Sequence, residues 1–122
     1  GMHVFFHSDG RIYEIIPDLI ECGADVLAIQ LKLNGINNLG RDFGGKVCFA
    51  GGVDYQSTLV YGTKDDIRHE AQLLVESLGR SNGGFIAQEC DELEALGIPK
   101  ENNKIMYEAF KEFGRSIGPE VG

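Results

Sequence analysis

The sequence has few basic residues and no long apolar run. Its 11 Lys and Arg residues stand against 19 Asp and Glu residues, which gives a formal net charge of −8. A surface of that sign repels the phosphate backbone of DNA or RNA. None of the apolar segments approaches the roughly 20 residues that a transmembrane helix needs. The composition therefore argues against a nucleic-acid partner and against a membrane span.

Paired cysteines are also missing. The 3 cysteines are Cys22, Cys48 and Cys90, and no two of them form a Cys-x-x-Cys pair. No signal-peptide pattern precedes them, so we expect reduced thiols and a cytoplasmic protein. Cys22 and Cys48 have no His neighbour in the sequence, which predicts inert, buried thiols.

Four short apolar segments each end in polar or glycine-rich residues. They lie at 3–10, 26–30, 47–54 and 84–90, with helical patterns between them. Strands that alternate with helices at this spacing predict an α/β fold with a parallel sheet and right-handed crossovers. Four βα units make half of a (β/α)8 TIM barrel, and 122 residues are about half of the roughly 250 that such a barrel contains.

Helical periodicity connects these segments. Apolar spacing predicts a helix over 11–22 that begins or bends at Pro17 and stops at Gly23. Thr63 is the expected N-cap of a later helix, since Asp66 follows three residues on in a near-match to the capping box. Further helices are predicted over 36–43 and 101–113, loops over 54–62 and 91–100, and a turn over 81–84.

A four-stranded parallel sheet leaves two edge strands and one face uncovered. Two copies related by a two-fold axis along the barrel would pair edge to edge, because that rotation keeps every strand parallel. We therefore expect a homodimer that closes the barrel, or a missing N-terminal half-barrel that does so. Gly1 before Met2 is interpreted as a residue left by expression, so a single domain is expected over residues 2–122.

Polar residues at the strand ends are the candidate site residues. The C-terminal edge of a parallel sheet is where barrels place their chemistry. Asp54 is a candidate catalytic residue that would accept a hydrogen bond or carry a proton. Gly51 and Gly52 would let the backbone approach a ligand, and Gln30 would donate to it. The alternatives are a tight turn with a solvated Asp54, and a Gln30 that only packs.

Several motifs in register resemble the C-terminal half of the uroporphyrinogen decarboxylase and corrinoid methyltransferase superfamily. They are HSDG at 7–10, IIPDLIE at 15–21, FAGGVDYQ at 49–56, YGT at 61–63, GGFI at 83–86 and PKEN at 99–102. The resemblance covers nearly the whole chain and implies a distorted (β/α)8 barrel. It also implies one of two reactions, decarboxylation or methyl transfer, in the same cavity.

The two branches of that superfamily differ in cofactor. The decarboxylases act on a tetrapyrrole in porphyrin biosynthesis without a cofactor, and their catalytic Asp and Tyr come from the first half of the barrel. The methyltransferases bind zinc through a His-x-Cys turn and a later Cys, and pass a methyl group from a corrinoid (cobalamin) protein to a thiol. The resemblance therefore implies a small-molecule or corrinoid-protein substrate.

The residues of this chain can be placed on the methyltransferase pattern. His7 falls on the histidine of the turn, Asp9 stands in place of its cysteine, and Cys90 falls on the later cysteine, where decarboxylases carry a histidine. The resemblance thus implies a metal at His7, Asp9 and Cys90, with Cys90 also catalytic. The alternative is that His7 and Asp9 only hold the turn before the next helix. A methyltransferase half-site, a decarboxylase fragment and a non-catalytic assembly module all stay open.

Overall fold

Four short parallel strands form the centre of the fold. The computed structural model describes residues 2–79 and 84–117. The strands are β1 (Phe5–His7), β2 (Val26–Ala28), β3 (Cys48–Gly51) and β4 (Phe85–Ala87). They lie in the order β1-β2-β3-β4, and every neighbouring pair is parallel. This confirms the predicted α/β fold with a parallel sheet, consistent with part of a TIM barrel.

One face of the sheet carries the hydrophobic core. Leu27 and Phe49 pair in register on β2 and β3 and are completely buried with the helix layer. Side chains of successive strand residues point to opposite faces. On the other face Phe5 is 55% exposed and Ile86 is 46% exposed. The described helices therefore cover one face. On the face that would line the inside of a barrel, the side chains of the two edge strands are exposed, whereas Ala28 and Ala50 on the central strands are buried.

The helices of the described part follow the strands in chain order. They are α1 (Ile16–Glu21), α2 (Leu31–Asn34), α3 (Ile36–Phe43), α4 (Thr58–Tyr61), α5 (Lys64–Leu78), α6 (Leu93–Leu96) and α7 (Lys100–Ile117), with a 3-10 turn at Tyr13–Ile15. The helix α5 packs between α3 and α7. No described helix is both long and apolar enough to cross a membrane.

Local sequence signals account for the helix ends. Pro17 lies in the first turn of α1, as predicted, because a proline there lacks only an N–H that the helix does not use. Thr63 and Asp66 form a complete capping box on α5: the Asp66 N–H donates to Thr63 Oγ1 at 3.2 Å, and the Thr63 N–H donates to the Asp66 carboxylate at 2.9 Å. The backbone N–H of Thr63, and then its side chain, lower the pKa of Asp66, since they favour the charged form of its carboxylate. The helix predicted over 36–43 is α3.

Three short helices were not predicted. The helix α2 follows β2 directly, and α4 and α6 lie inside the two segments predicted as loops. Helices of four residues are too short to show a helical apolar period, so only tertiary contacts reveal them. The last helix also runs beyond its predicted end, to Ile117. Most of the predicted turn over 81–84 lies outside the described residues.

Candidate active site

A cavity of about 570 Å³ lies at the C-terminal ends of the strands. The segments that follow all four strands line it, as expected for polar residues at one edge of a parallel sheet. Each candidate residue taken from the sequence contributes to its wall: His7, Asp9, Gln30, Gly51, Gly52, Asp54 and Cys90. The structure therefore brings all of the predicted positions to one cavity.

Two buried amide side chains hold the turn after β1. The Gly10 N–H donates to Gln30 Oε1 at 2.6 Å, and the Ile12 N–H donates to Asn34 Oδ1 at 2.8 Å. Asn34 Nδ2 donates in turn to the carbonyls of Gly10 and Gln30. The bond from Gly10 requires the oxygen of the Gln30 amide to face the turn. Gln30 is thus a support of the His7–Gly10 turn, a role that the sequence interpretation did not give it.

The nitrogen of the same amide has a different environment. Gln30 is 9% exposed, and its Nε2 has no hydrogen-bond acceptor among the described residues. An unsatisfied buried donor is destabilising by about 1–3 kcal/mol. Since Gln30 lines the cavity, an acceptor atom of a bound ligand would remove that penalty.

Asp9 faces Tyr55 across the cavity. The Tyr55 hydroxyl donates to Asp9 Oδ1 at 3.4 Å, so the turn after β1 contacts the loop after β3. Burial, and then the negative charge of Asp9, raise the pKa of Tyr55. Tyr55 therefore stays a hydrogen-bond donor at neutral pH.

Asp54 is fixed by groups from several elements. Its N–H donates to Glu70 Oε2 at 2.6 Å, and the Ser57 hydroxyl donates to its carboxylate. Sequence reasoning missed Glu70. The signal was present, because Glu70 interrupts the apolar stripe of α5 between Ile67 and Ala71.

The two glycines at the end of β3 make room for the protein's own chain. A Cβ atom on Gly52 would lie 2.6 Å from the backbone oxygen of Gln88, and one on Gly51 would lie 2.9 Å from a methyl group of Leu31. Packing of β3 against its neighbours is thus sufficient reason for glycine at both positions. Their contact with a ligand stays a prediction.

The predicted metal ligands share the cavity but do not form a cluster. The described residues contain no group of three or more His, Cys, Asp or Glu side chains that could hold a metal ion. His7 ends β1 and Asp9 follows it, whereas Cys90 follows β4, three strands further on. At about 4.8 Å between neighbouring strands, β1 and β4 lie roughly 14 Å apart in a flat sheet. A zinc ion at His7, Asp9 and Cys90 therefore stays a prediction that this half of a barrel does not meet by itself.

The other thiols lie away from the cavity lining. Burial raises the pKa of Cys48, which keeps that thiol protonated and unreactive. Cys22 is exposed at the end of α1, so the expectation that it is buried was wrong. It lies at a helix end, where the apolar period of α1 no longer applies.

A match to a protein family decides the membership of the chain. The family model described as "Uroporphyrinogen decarboxylase (URO-D)" matches residues 1–113. The chain belongs to the uroporphyrinogen decarboxylase family. A curated relative, "Uroporphyrinogen decarboxylase" of Chlorobaculum tepidum, is 29% identical over 68 residues. That match covers 56% of this chain but only 18% of the relative.

Membership of the URO-D family confirms the resemblance drawn from the motifs. It does not separate the decarboxylase branch from the methyltransferase branch. The charge of the cavity bears on that question. Carboxylates that line it come from Asp9, Asp54, Glu89, Asp91 and Glu92, and no Lys or Arg occurs among the described residues that line it. This half of the cavity is therefore strongly acidic.

Proposed function

We propose that this chain supplies the C-terminal half of the active-site cavity of a methyltransferase-type member of the URO-D family. The reaction is methyl transfer from a corrinoid protein to a thiol. The acidic cavity wall carries the proposal. A substrate with several carboxylates needs Arg or Lys partners, and Arg in particular binds carboxylates through two parallel hydrogen bonds. The charged residues among the described cavity residues are Asp and Glu, which would repel such a substrate.

Four residues have roles that follow from their contacts. Gln30 Nε2 is a buried donor without an acceptor among the described residues, and it would bind an acceptor atom of the ligand. Asp54 is the acceptor for a proton or hydrogen bond at the end of β3. Tyr55 is a neutral donor held by Asp9. Cys90 is half-buried at the opposite side of the cavity and is the thiol available to a metal.

Zinc is proposed only for the completed barrel. His7, Asp9 and Cys90 would contact the ion, but the described residues do not gather these three side chains into a metal-binding group. A further ligand or a change in sheet curvature has to come from the part of the barrel that completes the cavity. No role given above to Gln30, Asp54 or Tyr55 depends on the metal.

We also propose that a second half-barrel covers the open face of the sheet. The support is the exposure of Phe5 on β1 and Ile86 on β4, the two edge strands. A second copy of the chain or the N-terminal half of a longer protein would each cover these side chains. Light scattering distinguishes the two, because only the first gives twice the mass of the chain, 13.4 kDa, in a pure sample.

A decarboxylase is the second candidate, since the curated relative carries that name. In that case the cavity would take a tetrapyrrole, and the basic groups that bind its carboxylates would have to come from outside the described residues. A non-catalytic assembly module is the third candidate and would bind neither zinc nor a tetrapyrrole.

The test is the metal content of protein purified under reducing conditions without chelator, measured beside Cys90→Ser. Cys22→Ser is the matched control, because Cys22 is exposed and does not line the cavity. The completed barrel is the fraction with twice the mass of the chain. In that fraction the proposal expects about one zinc ion per chain, lost in Cys90→Ser and kept in Cys22→Ser. Uroporphyrin binding, followed by fluorescence on the same samples, would instead favour the decarboxylase. Absence of both from the fraction with twice the mass of the chain would leave the assembly module.

A further inference from the structure

Glu70 is a charged residue within the apolar stripe of α5. Its neighbours Ile67 and Ala71 are completely buried, and Glu70 is itself only 7% exposed. A carboxylate that is buried without partners is strongly destabilising. Glu70 therefore has to be satisfied by groups from other elements.

Those groups come from the loop that follows β3. Glu70 Oε2 accepts the backbone N–H of Asp54 at 2.6 Å, and Glu70 Oε1 accepts the hydroxyl of Thr58 at 2.7 Å. Hydrogen bonds to a charged acceptor are shorter and stronger than those between neutral groups. Both ends of the segment 54–58 are thus tied to one carboxylate on α5.

Lys32 on α2 holds the same segment from the other side. Its ammonium group lies 3.6 Å from Glu70 Oε1 and balances that charge. It also donates to Thr58 Oγ1 at 2.9 Å and to Ser57 Oγ at 3.2 Å. Since Ser57 donates to the carboxylate of Asp54, Lys32 acts on the side chain of Asp54 while Glu70 acts on its backbone.

We propose that Glu70 and Lys32 are a pair of positioning residues that set where the Asp54 carboxylate enters the strand-end cavity. Among the described residues, Asp54 lines that cavity, whereas Glu70 and Lys32 line a separate one of about 520 Å³ behind the loop. The pair therefore acts through Asp54. This inference rests on the proposed function, because it takes Asp54 as a residue of the active site.

The ion pair between Lys32 and Glu70 is better explained by the positioning of Asp54 than by a contribution to the stability of the fold. The pair is only partly buried, because the Lys32 side chain is 48% exposed and that of Glu70 is 9% exposed. Partly exposed ion pairs contribute little to stability, whereas removing Lys32 alone would leave the buried carboxylate of Glu70 uncompensated. An apolar pair at positions 32 and 70 would thus keep α5 packed. It would not hold the N–H of Asp54 or the hydroxyl of Ser57.

The experiment compares Glu70→Gln and the double variant Lys32→Met/Glu70→Leu with the wild-type chain. Glu76→Gln is the matched control, since Glu76 is an exposed glutamate on the same helix. Hydrogen exchange of the Asp54 amide reports the bond to position 70. Exchange of the Ile67 amide, which donates to the Thr63 carbonyl, reports the integrity of α5. The carboxyl carbon resonance of Asp54 reports the surroundings of its side chain.

In the double variant we expect Asp54 amide exchange to rise roughly tenfold or more, with a shifted Asp54 carboxyl resonance and unchanged Ile67 exchange. In Glu70→Gln the rise should be about fivefold, because a neutral acceptor replaces a charged one. Glu76→Gln should change neither amide. Unchanged Asp54 exchange in folded Glu70→Gln, or equal changes at Asp54 and Ile67 in either variant, would overturn the proposal. None of these readouts involves zinc or a tetrapyrrole. Failure of the proposed function would be seen in the zinc and uroporphyrin measurements, and failure of this inference in the exchange rates and the carboxyl resonance.

Discussion

Replacing Asn34 with alanine tests whether this side chain organises the turn that carries His7 and Asp9. Asn34 is 5% exposed, and its side chain makes three hydrogen bonds, to the Ile12 N–H and to the carbonyls of Gly10 and Gln30. A hydrogen bond contributes about 1 kcal/mol net, and a buried group left unpaired costs about 1–3 kcal/mol. We therefore expect Asn34→Ala to lower the free energy of unfolding by about 3 kcal/mol.

Urea unfolding followed by circular dichroism measures this loss. Asn37→Ala is the matched control, because Asn37 is an exposed asparagine on the neighbouring helix and accepts one bond, from Ser77. Its loss should stay within about 0.5 kcal/mol. If Asn34→Ala were no more destabilising than Asn37→Ala, the idea that Asn34 supports the turn would have to be abandoned.

Two further predictions concern the cap of α5 and the glycine after β3. Thr63→Ala removes the side-chain half of the capping box and should cost about 1 kcal/mol at pH 7 in urea unfolding. The backbone N–H of Thr63, and then its side chain, lower the pKa of Asp66 below its ordinary 3.8, and the variant loses only the side-chain contribution. The difference in free energy of unfolding between variant and wild type should therefore shrink as the pH falls through the folded-state pKa. A difference that grows towards pH 3 would contradict this. Gly52→Ala places a Cβ atom 2.6 Å from the Gln88 oxygen and should lower the melting temperature through a loss of roughly 1–3 kcal/mol. Gly114→Ala, in open space on α7, should be neutral or stabilising by up to about 1 kcal/mol, and equal effects of the two alanines would refute the steric argument.

Local rules were sufficient for the long elements. The α3 boundaries and the capping box of α5 were predicted because an apolar period and a Thr/Asp pair three residues apart act within one or two helical turns. The short helices α2, α4 and α6 were missed for the complementary reason. Each has too few residues to show a period, and a helix this short is stabilised mainly by contacts with other elements.

The candidate site likewise has a part that the sequence predicted and a part that only the tertiary structure decided. The sequence by itself determined which residues reach the cavity, since each candidate follows a strand and parallel strands end at one edge of the sheet. It did not determine which of them meet. Asp9 contacts Tyr55, Asp54 is held by Glu70, and Lys32 reaches Ser57, across separations of 46, 16 and 25 residues. Such pairings depend on strand order and helix packing, and the same strand order keeps Cys90 apart from His7 and Asp9 in this half of a barrel.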